Sequence, residues 1–344
     1  MGEWLDLQFA DPQFHVGFLI LIIAAMIFVL SKGADILVDE AIVLSTRWGV
    51  PKVMIGATIV SLGTTLPEAA VSVFAAIKGF SELALGNAVG SIICNSGLVL
   101  GTAALIRPLP LDRSIVNRHG WIQLGAGLLL ILGCLPYRSL GTVFETGGKF
   151  PQTIGFAFVV LLVLYLWLSV YWTRGIEEGE DDNISEQKQN NVITPLIKLF
   201  LGVTMVIISS QILIPAAQAT AKRFGVPSSI IAATLVAFGT SLPELVTAIT
   251  ASLKKQGELA VGNVIGANIL NVLFVVGVSA AVTPGGLTAE TFFFRMLFPV
   301  MLGVFVVFRV GAFISEKELK RPFGVLLILI YVAVTILSYK LSSI

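Results

Sequence analysis

Long apolar runs follow one another along almost the whole chain, and this feature constrains the fold more than any other. The runs fall at about 15–47, 52–79, 82–106, 119–136, 152–173, 194–223, 228–253, 258–282, 289–310 and 321–341. Because the hydrocarbon layer of a bilayer needs about 20 apolar residues per helix, runs of this length indicate membrane-spanning helices. We therefore predict an all-α polytopic membrane protein with ten transmembrane helices, located in a lipid bilayer.

Charge and cysteine usage exclude several classes of partner. The 22 basic and 21 acidic residues leave a formal net charge of +1, so there is no basic surface for nucleic acid. The chain has no Walker-type loop, which argues against ATP, and nothing indicates a covalent cofactor. Cys94 and Cys134 lie in apolar runs without paired spacing, which argues against a disulfide framework or a zinc site. The first 14 residues lack the basic region of a signal peptide, so we expect the first run to be a true span.

A single hydrophilic stretch divides the chain into two halves. We assign residues 1–173 to a first five-helix repeat, 174–193 to an acidic linker and 194–344 to a second five-helix repeat. Because five is odd, the two halves must cross the membrane in opposite senses. The positive-inside rule places the more basic set of loops, and with it the linker, in the cytoplasm and both termini outside. The residues that define this basic face are Arg107, Arg113, Arg118, Lys254, Lys255, Lys317, Lys320 and Arg321.

The two halves also share a sequence motif. Residues 57–68 read ATIVSLGTTLPE and residues 233–244 read ATLVAFGTSLPE, in the same register and without a gap. ELALGNAVG at 82–90 likewise recurs as ELAVGNVIG at 258–266. Such agreement indicates duplication, with repeat motifs over 56–101 and 232–277 that face one another across a pseudo-twofold axis in the membrane plane.

Each copy of the motif places a glutamate, Glu68 or Glu244, within an otherwise apolar span. A charged side chain at mid-bilayer costs about 3 kcal/mol or more, so a carboxylate there indicates a functional site. Pro67 and Pro243 precede the glutamates. Because proline has no amide hydrogen, each one leaves a carbonyl four residues earlier unpaired, at a kink where it could bind a cation.

Neutral oxygens surround each carboxylate. Ser61 and Thr65 share a helical face with Glu68, and Ser91 and Asn95 lie four residues apart on the next helix. Two carboxylates and several neutral oxygens suit Ca²⁺, which takes six to eight oxygen ligands at about 2.3–2.6 Å. Na⁺ could occupy the same cavity. Competition between the two ions for the same carboxylates would then couple their transport.

With these motifs, the chain resembles the prokaryote-type Na⁺/Ca²⁺ exchanger branch of the calcium/cation antiporter family, which has two α-repeats. The resemblance implies ten helices, of which the first and sixth slide across a static core, in a prokaryotic plasma or inner membrane. It implies that Ca²⁺ and Na⁺ are the transported substrates, with a calcium site at Thr64, Glu68, Thr240 and Glu244. It also implies a set of sodium or central-site residues: Ser61, Thr65, Ser91, Asn95, Ala237, Ser241 and Asn271.

Two positions depart from the family pattern. Ala267 stands where the second repeat would match Ser91, which removes a hydroxyl that the family often uses for sodium. Asn271 stands where some microbial members have aspartate, which disfavours coupling to protons.

Na⁺/Ca²⁺ antiport by alternating access is the leading interpretation, and several alternatives remain open. Ca²⁺/H⁺ antiport and K⁺-dependent Na⁺/Ca²⁺ exchange need the same glutamates, whereas a passive cation channel or a membrane scaffold would belong to another class. Asn87 and Asn263 are placed near the start of a helix, where capping or packing is as plausible as ligation. The charged cluster at 32–40 is interpreted as an interfacial ion-pair patch, or else as a steering surface for the access path.

Overall fold

The computed structural model describes residues 16–137, 139–173, 192–224, 239–315 and 317–342. Within these ranges it is almost entirely helical, as predicted. The helices of the first half are α1 (Val16–Trp48), α2 (Lys52–Thr64), α3 (Leu66–Ile77), α4 (Ser81–Ile106), α5 (Arg113–Cys134), the short α6 (Val143–Thr146) and α7 (Gln152–Thr173). Those of the second half are α8 (Ile193–Arg223), α9 (Leu242–Leu253), α10 (Gly257–Val282), α11 (Phe293–Ile314) and α12 (Arg321–Ser342).

The membrane character of the chain is confirmed by the lengths and compositions of these helices. Eight of the described helices are long and apolar enough to cross a bilayer, and α2 with α3 forms a ninth candidate that is bent by 45°. Helix α9 is apolar but shorter, and residues 225–238 before it lie outside the described ranges. Most of the predicted linker also lies outside them, and α8 begins at Ile193, one residue before the predicted start of the second repeat.

Helix α5 begins about two turns earlier than its apolar run predicts. The side chain of Asp112 caps the helix, with Oδ1 accepting hydrogen bonds from the backbone amides of Ser114 and Ile115. Charged residues in the first turns, Arg113 and Arg118, interrupt the hydrophobic pattern without ending the helix. The cap therefore determines this boundary, because it satisfies amide groups that have no partner within the helix.

The two longest helices, α1 with 33 residues and α8 with 31, pack directly against each other. They meet at two glycines. A Cβ atom added at Gly33 would lie 3.1 Å from the carbonyl oxygen of Gly202, and one added at Gly202 would lie 2.9 Å from that of Gly33. Small residues at this crossing allow the two backbones to approach closely, as they do in many membrane helix pairs.

Helices α4 and α10 are the most deeply buried of the candidate spans. Each contains a widened π-helical turn that begins at an asparagine, over Asn95–Val99 in α4 and Asn271–Val276 in α10. Two further turns of this kind, Gly56–Val60 and Phe293–Leu297, lie in α2 and at the start of α11. Single π turns of this kind occur frequently at functional sites, because they shift the side chains that follow.

Four short strands join the two halves outside the helices. Strand β1 (Leu109–Pro110) pairs with β4 (Glu318–Leu319), and β2 (Gly148–Phe150) pairs with β3 (Leu287–Ala289), both antiparallel. Each pair takes one strand from either half and joins loops that the predicted topology places on the same side of the membrane. The strands were not predicted, since segments of two or three residues carry no periodic signal.

The charged cluster of α1 forms ion pairs with the second half of the chain. The Nζ atom of Lys254 lies 2.7 Å from Oδ1 of Asp39 and 3.2 Å from Oδ1 of Asp35. Lys198 pairs with Glu40 at 3.2 Å. The interpretation as an ion-pair patch is therefore confirmed, although its basic partners, Lys198 in α8 and Lys254 just after α9, are distant in sequence.

Candidate cation site

The first repeat motif lies at a break between two helices. Helix α2 ends at Thr64, and Thr65 adopts φ −81° and ψ −5° before α3 begins. Two backbone hydrogen bonds reach across the break, from the amide of Thr65 to the carbonyl of Ser61 (2.9 Å) and from Ala69 to Thr65 (3.1 Å). Neither bond uses the carbonyl oxygen of Thr64, whereas the carbonyl of Gly63 accepts a backbone amide at the end of α2. The predicted kink is present, but the carbonyl four residues before Pro67 is not left unpaired as the sequence predicted.

The second motif repeats this arrangement as far as the structure describes it. Thr240 and Ser241 form a turn, with φ −88° and ψ 8° at Ser241, and α9 begins at the next residue. The amide of Leu245 donates to the carbonyl of Ser241 at 3.1 Å, as Ala69 does to Thr65. Ala237, a predicted sodium-site residue, lies outside the described residues.

The two motif glutamates are fully buried and interact across the halves of the chain. Glu68 and Glu244 have no solvent-exposed surface, and their carboxylates are close enough to repel each other electrostatically. The hydroxyl Oγ1 of Thr65, from the first half, donates to Oε1 of Glu244, from the second, at 3.5 Å. Among the ion pairs between described residues, none involves either glutamate.

Several polar atoms at this place have no hydrogen-bond partner within the described part of the chain. They include both carboxylate oxygens of Glu68, Oε2 of Glu244, Oγ of Ser241 and the side-chain oxygen and nitrogen atoms of Asn95 and Asn271. Buried polar groups without partners cost about 1–3 kcal/mol each, and more when they are charged. A cluster of unpaired acceptors around two carboxylates therefore favours the binding of cations, which would satisfy them.

The two central asparagines start the π turns of α4 and α10. The turn that begins at Asn95 packs against α9 and α10, and the turn that begins at Asn271 packs against α3 and α4. Each asparagine therefore lies between helices of both halves. Ser91, one turn before Asn95, has its hydroxyl oxygen 3.5 Å from that of Thr240.

Close packing of α2 against α10 brings the halves together on one side of the site. A Cβ atom added at Gly262 would lie 2.0 Å from the carbonyl oxygen of Val53, and one added at Gly266 would lie 2.4 Å from that of Ala57. The same Cβ at Gly266 would lie 2.5 Å from Oγ of Ser61. This close approach sets Ser61 directly against α10.

Asn87 and Asn263 are near the start of their helices, as the sequence predicted, but they lie too far inside to cap them. They lie nearly two turns inside α4 and α10, which begin at Ser81 and Gly257. Oδ1 of Asn263 accepts a hydrogen bond from Oγ1 of Thr64 at 3.3 Å, and Oδ1 of Asn87 accepts one from Oγ1 of Thr240 at 3.5 Å. Their recurrence in both copies of the motif was the signal that associates them with the site.

The polar side chains of the two motifs present mainly oxygen atoms. Within the described residues no group of three or more histidine, cysteine, aspartate or glutamate side chains could hold a metal ion. A cation at this site would bind two carboxylates and neutral hydroxyl, amide and carbonyl oxygens. Such a set suits Ca²⁺ and Na⁺, whereas Zn²⁺ and other softer ions prefer nitrogen and sulfur ligands.

Comparisons with known proteins agree with this geometry. Residues 18–171 and 194–340 match the family model described as sodium/calcium exchanger protein. The chain is 32% identical to the inner membrane protein YrbG of Escherichia coli over 314 residues, covering 90% of this chain and 92% of that protein. It is 29% identical to the sodium/calcium exchanger MaX1 of Methanosarcina acetivorans, covering 92% and 97%. Among solved structures, one of the sodium-calcium exchanger NCX_Mj superposes with a TM-score of 0.77 at 26% identity, covering 93% of this chain and 98% of that one.

Proposed function

This chain belongs to the sodium/calcium exchanger protein family, and on that premise we propose that it exchanges Na⁺ for Ca²⁺ across a membrane by alternating access. It is a transporter rather than an enzyme. The observation that carries the proposal is the meeting of Glu68 and Glu244, one from each half, fully buried and without a basic partner among the described residues. Two negative charges in a region of low dielectric need cations, and one Ca²⁺ neutralises both.

We assign the ligands by the role each group can perform. Calcium would bind the carboxylates of Glu68 and Glu244 and the backbone carbonyls of Thr64 and Thr240, which lie just before α3 and α9. Sodium ions would use neighbouring hydroxyl and amide oxygens and compete for the same carboxylates. The proposed sodium or central-site residues are Ser61, Thr65, Ser91, Asn95, Ala237, Ser241 and Asn271.

The proposed architecture has ten spans in two inverted five-helix repeats, at 1–173 and 194–344. The bent pair α2 and α3 would form the second span, and α9 with the residues before it the seventh. Helices α1 and α8, long and packed on each other, would move together across the remaining eight. Both termini would lie outside and the 174–193 linker in the cytoplasm, in agreement with the basic loops.

Transport in proteoliposomes tests the exchange directly. Vesicles loaded with Na⁺ and diluted into Na⁺-free buffer with ⁴⁵Ca²⁺ should accumulate calcium, and vesicles loaded with choline should not. If more than two Na⁺ leave for each Ca²⁺ that enters, the exchange moves net positive charge outwards. An inside-positive potential set with K⁺ and valinomycin should then accelerate calcium uptake. Calcium uptake that ignores the sodium gradient would contradict the proposal.

The same vesicles distinguish the alternatives. Uptake driven by an imposed pH gradient without sodium would indicate Ca²⁺/H⁺ antiport, and a requirement for K⁺ beside Na⁺ would indicate K⁺-dependent exchange. A channel would pass calcium down its own gradient without counter-transport, at rates far above those of a carrier.

A further inference from the structure

Asn87 and Asn263 each connect the two halves of the chain at the level of the helix breaks. Asn263 belongs to α10 and accepts a hydrogen bond from Thr64, which ends α2, and Asn87 belongs to α4 and accepts one from Thr240. The two contacts are equivalent under the internal repeat. The two copies differ at many other positions. A contact that both copies have kept is therefore better explained by a role than by incidental packing.

The threonines that these asparagines hold lie two residues before the start of α3 and of α9. Thr64 precedes the break between α2 and α3, and the two backbone bonds that reach across the break do not use its carbonyl. Its side chain makes two contacts, to Oδ1 of Asn263 at 3.3 Å and to the carbonyl of Ser61 at 3.4 Å. The hydroxyl has one hydrogen, so it donates to one of these acceptors at a time, and the bond to Asn263 is the one that ties the side chain to the other half.

We propose that Asn87 and Asn263 are positioning residues for the calcium site, each holding the threonine of the opposite half so that its carbonyl faces the ion. The inference rests on the proposed function, because it assumes that the carbonyls of Thr64 and Thr240 bind calcium. The asparagines act through the threonine hydroxyls and do not themselves contact the ion. Because each bond joins elements from both halves, the two carbonyls are aligned only when the halves are assembled.

The two asparagines are not held equally well. Nδ2 of Asn87 donates to Oγ of Ser72 at 3.0 Å and to the carbonyl of Glu68 at 3.4 Å. Nδ2 of Asn263 has no partner among the described residues, and the position that corresponds to Ser72 is Ala248, which has no hydroxyl. Asn87 therefore ties Thr240 to the backbone of Glu68 itself, whereas Asn263 is anchored through its oxygen alone.

The test removes the hydroxyl and keeps the carbonyl. Thr64→Val retains the shape of the side chain and the proposed ligand but cannot donate to Asn263. Removing one hydrogen bond should weaken Ca²⁺ binding about threefold to tenfold, measured by calorimetry on purified protein and as the KM for ⁴⁵Ca²⁺ uptake. Asn263→Leu should have the same effect, and the double variant should be no weaker than either single one, because both remove the same contact.

The sodium dependence of exchange distinguishes this positioning role from a purely structural one. The proposed sodium ligands do not include the carbonyl of Thr64, so the sodium concentration that half-saturates exchange should stay within about twofold of the wild type. Calcium binding that is unchanged in both Thr64→Val and Asn263→Leu would overturn the inference. An equal weakening of calcium and sodium binding, or strict additivity in the double variant, would also overturn it.

The unequal anchoring gives a second, independent comparison. Ser72→Ala removes the partner of Asn87 and should weaken calcium binding, whereas Ala248→Ser offers Asn263 the partner that it lacks and should leave binding equal or tighter. Opposite results for this matched pair would contradict the proposal. Failure of the wild type to couple calcium to sodium would instead contradict the proposed function, and calorimetric calcium binding by the variants would still test the positioning.

Discussion

Thr65 and Glu244 come from opposite halves of the chain and meet at the centre of the fold, where the threonine hydroxyl donates to the carboxylate across 3.5 Å. Both side chains are fully buried. The contact means that the carboxylate of one repeat is oriented by the helix break of the other. Neither half could form this site by itself, which gives the duplication a direct physical role.

Replacing Thr65 by valine tests that relationship. The substitution keeps the shape of the side chain and removes the donor to Glu244, together with one proposed sodium ligand. We expect the sodium concentration for half-maximal exchange to rise about threefold to tenfold. Thr46→Val is the matched control, because Thr46 is exposed and donates only to a carbonyl of its own helix. An unchanged sodium dependence in Thr65→Val would exclude a role for this hydroxyl.

Neutralising a motif glutamate should separate transport from stability. Glu68 is fully buried, and neither of its carboxylate oxygens has a hydrogen-bond partner among the described residues, so its charge destabilises the protein without ions. Glu68→Gln should reduce exchange about 100-fold or more while leaving the thermal unfolding temperature in detergent equal or higher. The exposed Glu318→Gln should change neither quantity. A large fall in the unfolding temperature of Glu68→Gln would show that the carboxylate stabilises the fold instead.

Calcium itself should stabilise the wild type. A ligand that binds only the native state contributes about 2.7 kcal/mol at 100 times its dissociation constant. Thermal unfolding should therefore shift to higher temperature as calcium is added and return on chelation. Glu68→Gln and Glu244→Gln should show little of this shift. A shift that persists at full size in both variants would place the calcium elsewhere in the molecule.

The contact between α2 and α10 predicts a strong effect from a single methyl group. Alanine at Gly266 would place its Cβ atom 2.4 Å from the backbone of Ala57, which cannot move without displacing α2. We expect Gly266→Ala to lower stability by about 1–3 kcal/mol or more and to impair exchange, because the site is built on the same two helices. Gly125→Ala is the control, since nothing among the described residues lies within 4 Å of its added Cβ. Equal unfolding temperatures for the two variants would contradict the packing described here.

The ion pairs of Lys254 should contribute little to the stability of the fold, although their distances are short. Partial burial lowers the pKa of Lys254, but hydrogen bonds and charges from Asp39 and Asp35 outweigh this effect and raise the pKa above its ordinary value. A lysine with a raised pKa contributes stability that is present at neutral pH and is lost only as the pH rises above about 10. Because the groups are partly exposed, we expect Lys254→Met to cost at most about 1 kcal/mol.

The measurement for this ion pair is the unfolding temperature at low and high salt. The difference between Lys254→Met and the wild type should shrink in high salt, which screens exposed charges. It should also stay constant between about pH 6 and pH 9, well below the pKa of lysine. A difference that stays the same in high salt would mean that Lys254 acts through packing of its side chain.

Much of the fold follows from the sequence because hydrophobicity and covalent constraints act locally. Apolar runs of sufficient length must become helices in a bilayer, where every backbone polar group needs an internal partner. A proline one residue before a buried glutamate must break the hydrogen-bond pattern of its helix, whatever surrounds it. The repeat of this motif predicted a site at Glu68 and Glu244, and an odd number of predicted helices per half predicts opposite orientation of the two copies.

Tertiary structure alone decided which groups meet. Asn263 lies 199 positions from Thr64. No local rule relates the two residues, so the sequence left capping, packing and ligation open for this asparagine. The same holds for Lys254 with Asp39, and for the loop strands that join the halves. Contacts of this kind depend on the relative depth and rotation of the helices. These are set by the close approach of backbones at residues such as Gly262 and Gly266. The amino-acid sequence does not show them, because they arise only when the chain has folded.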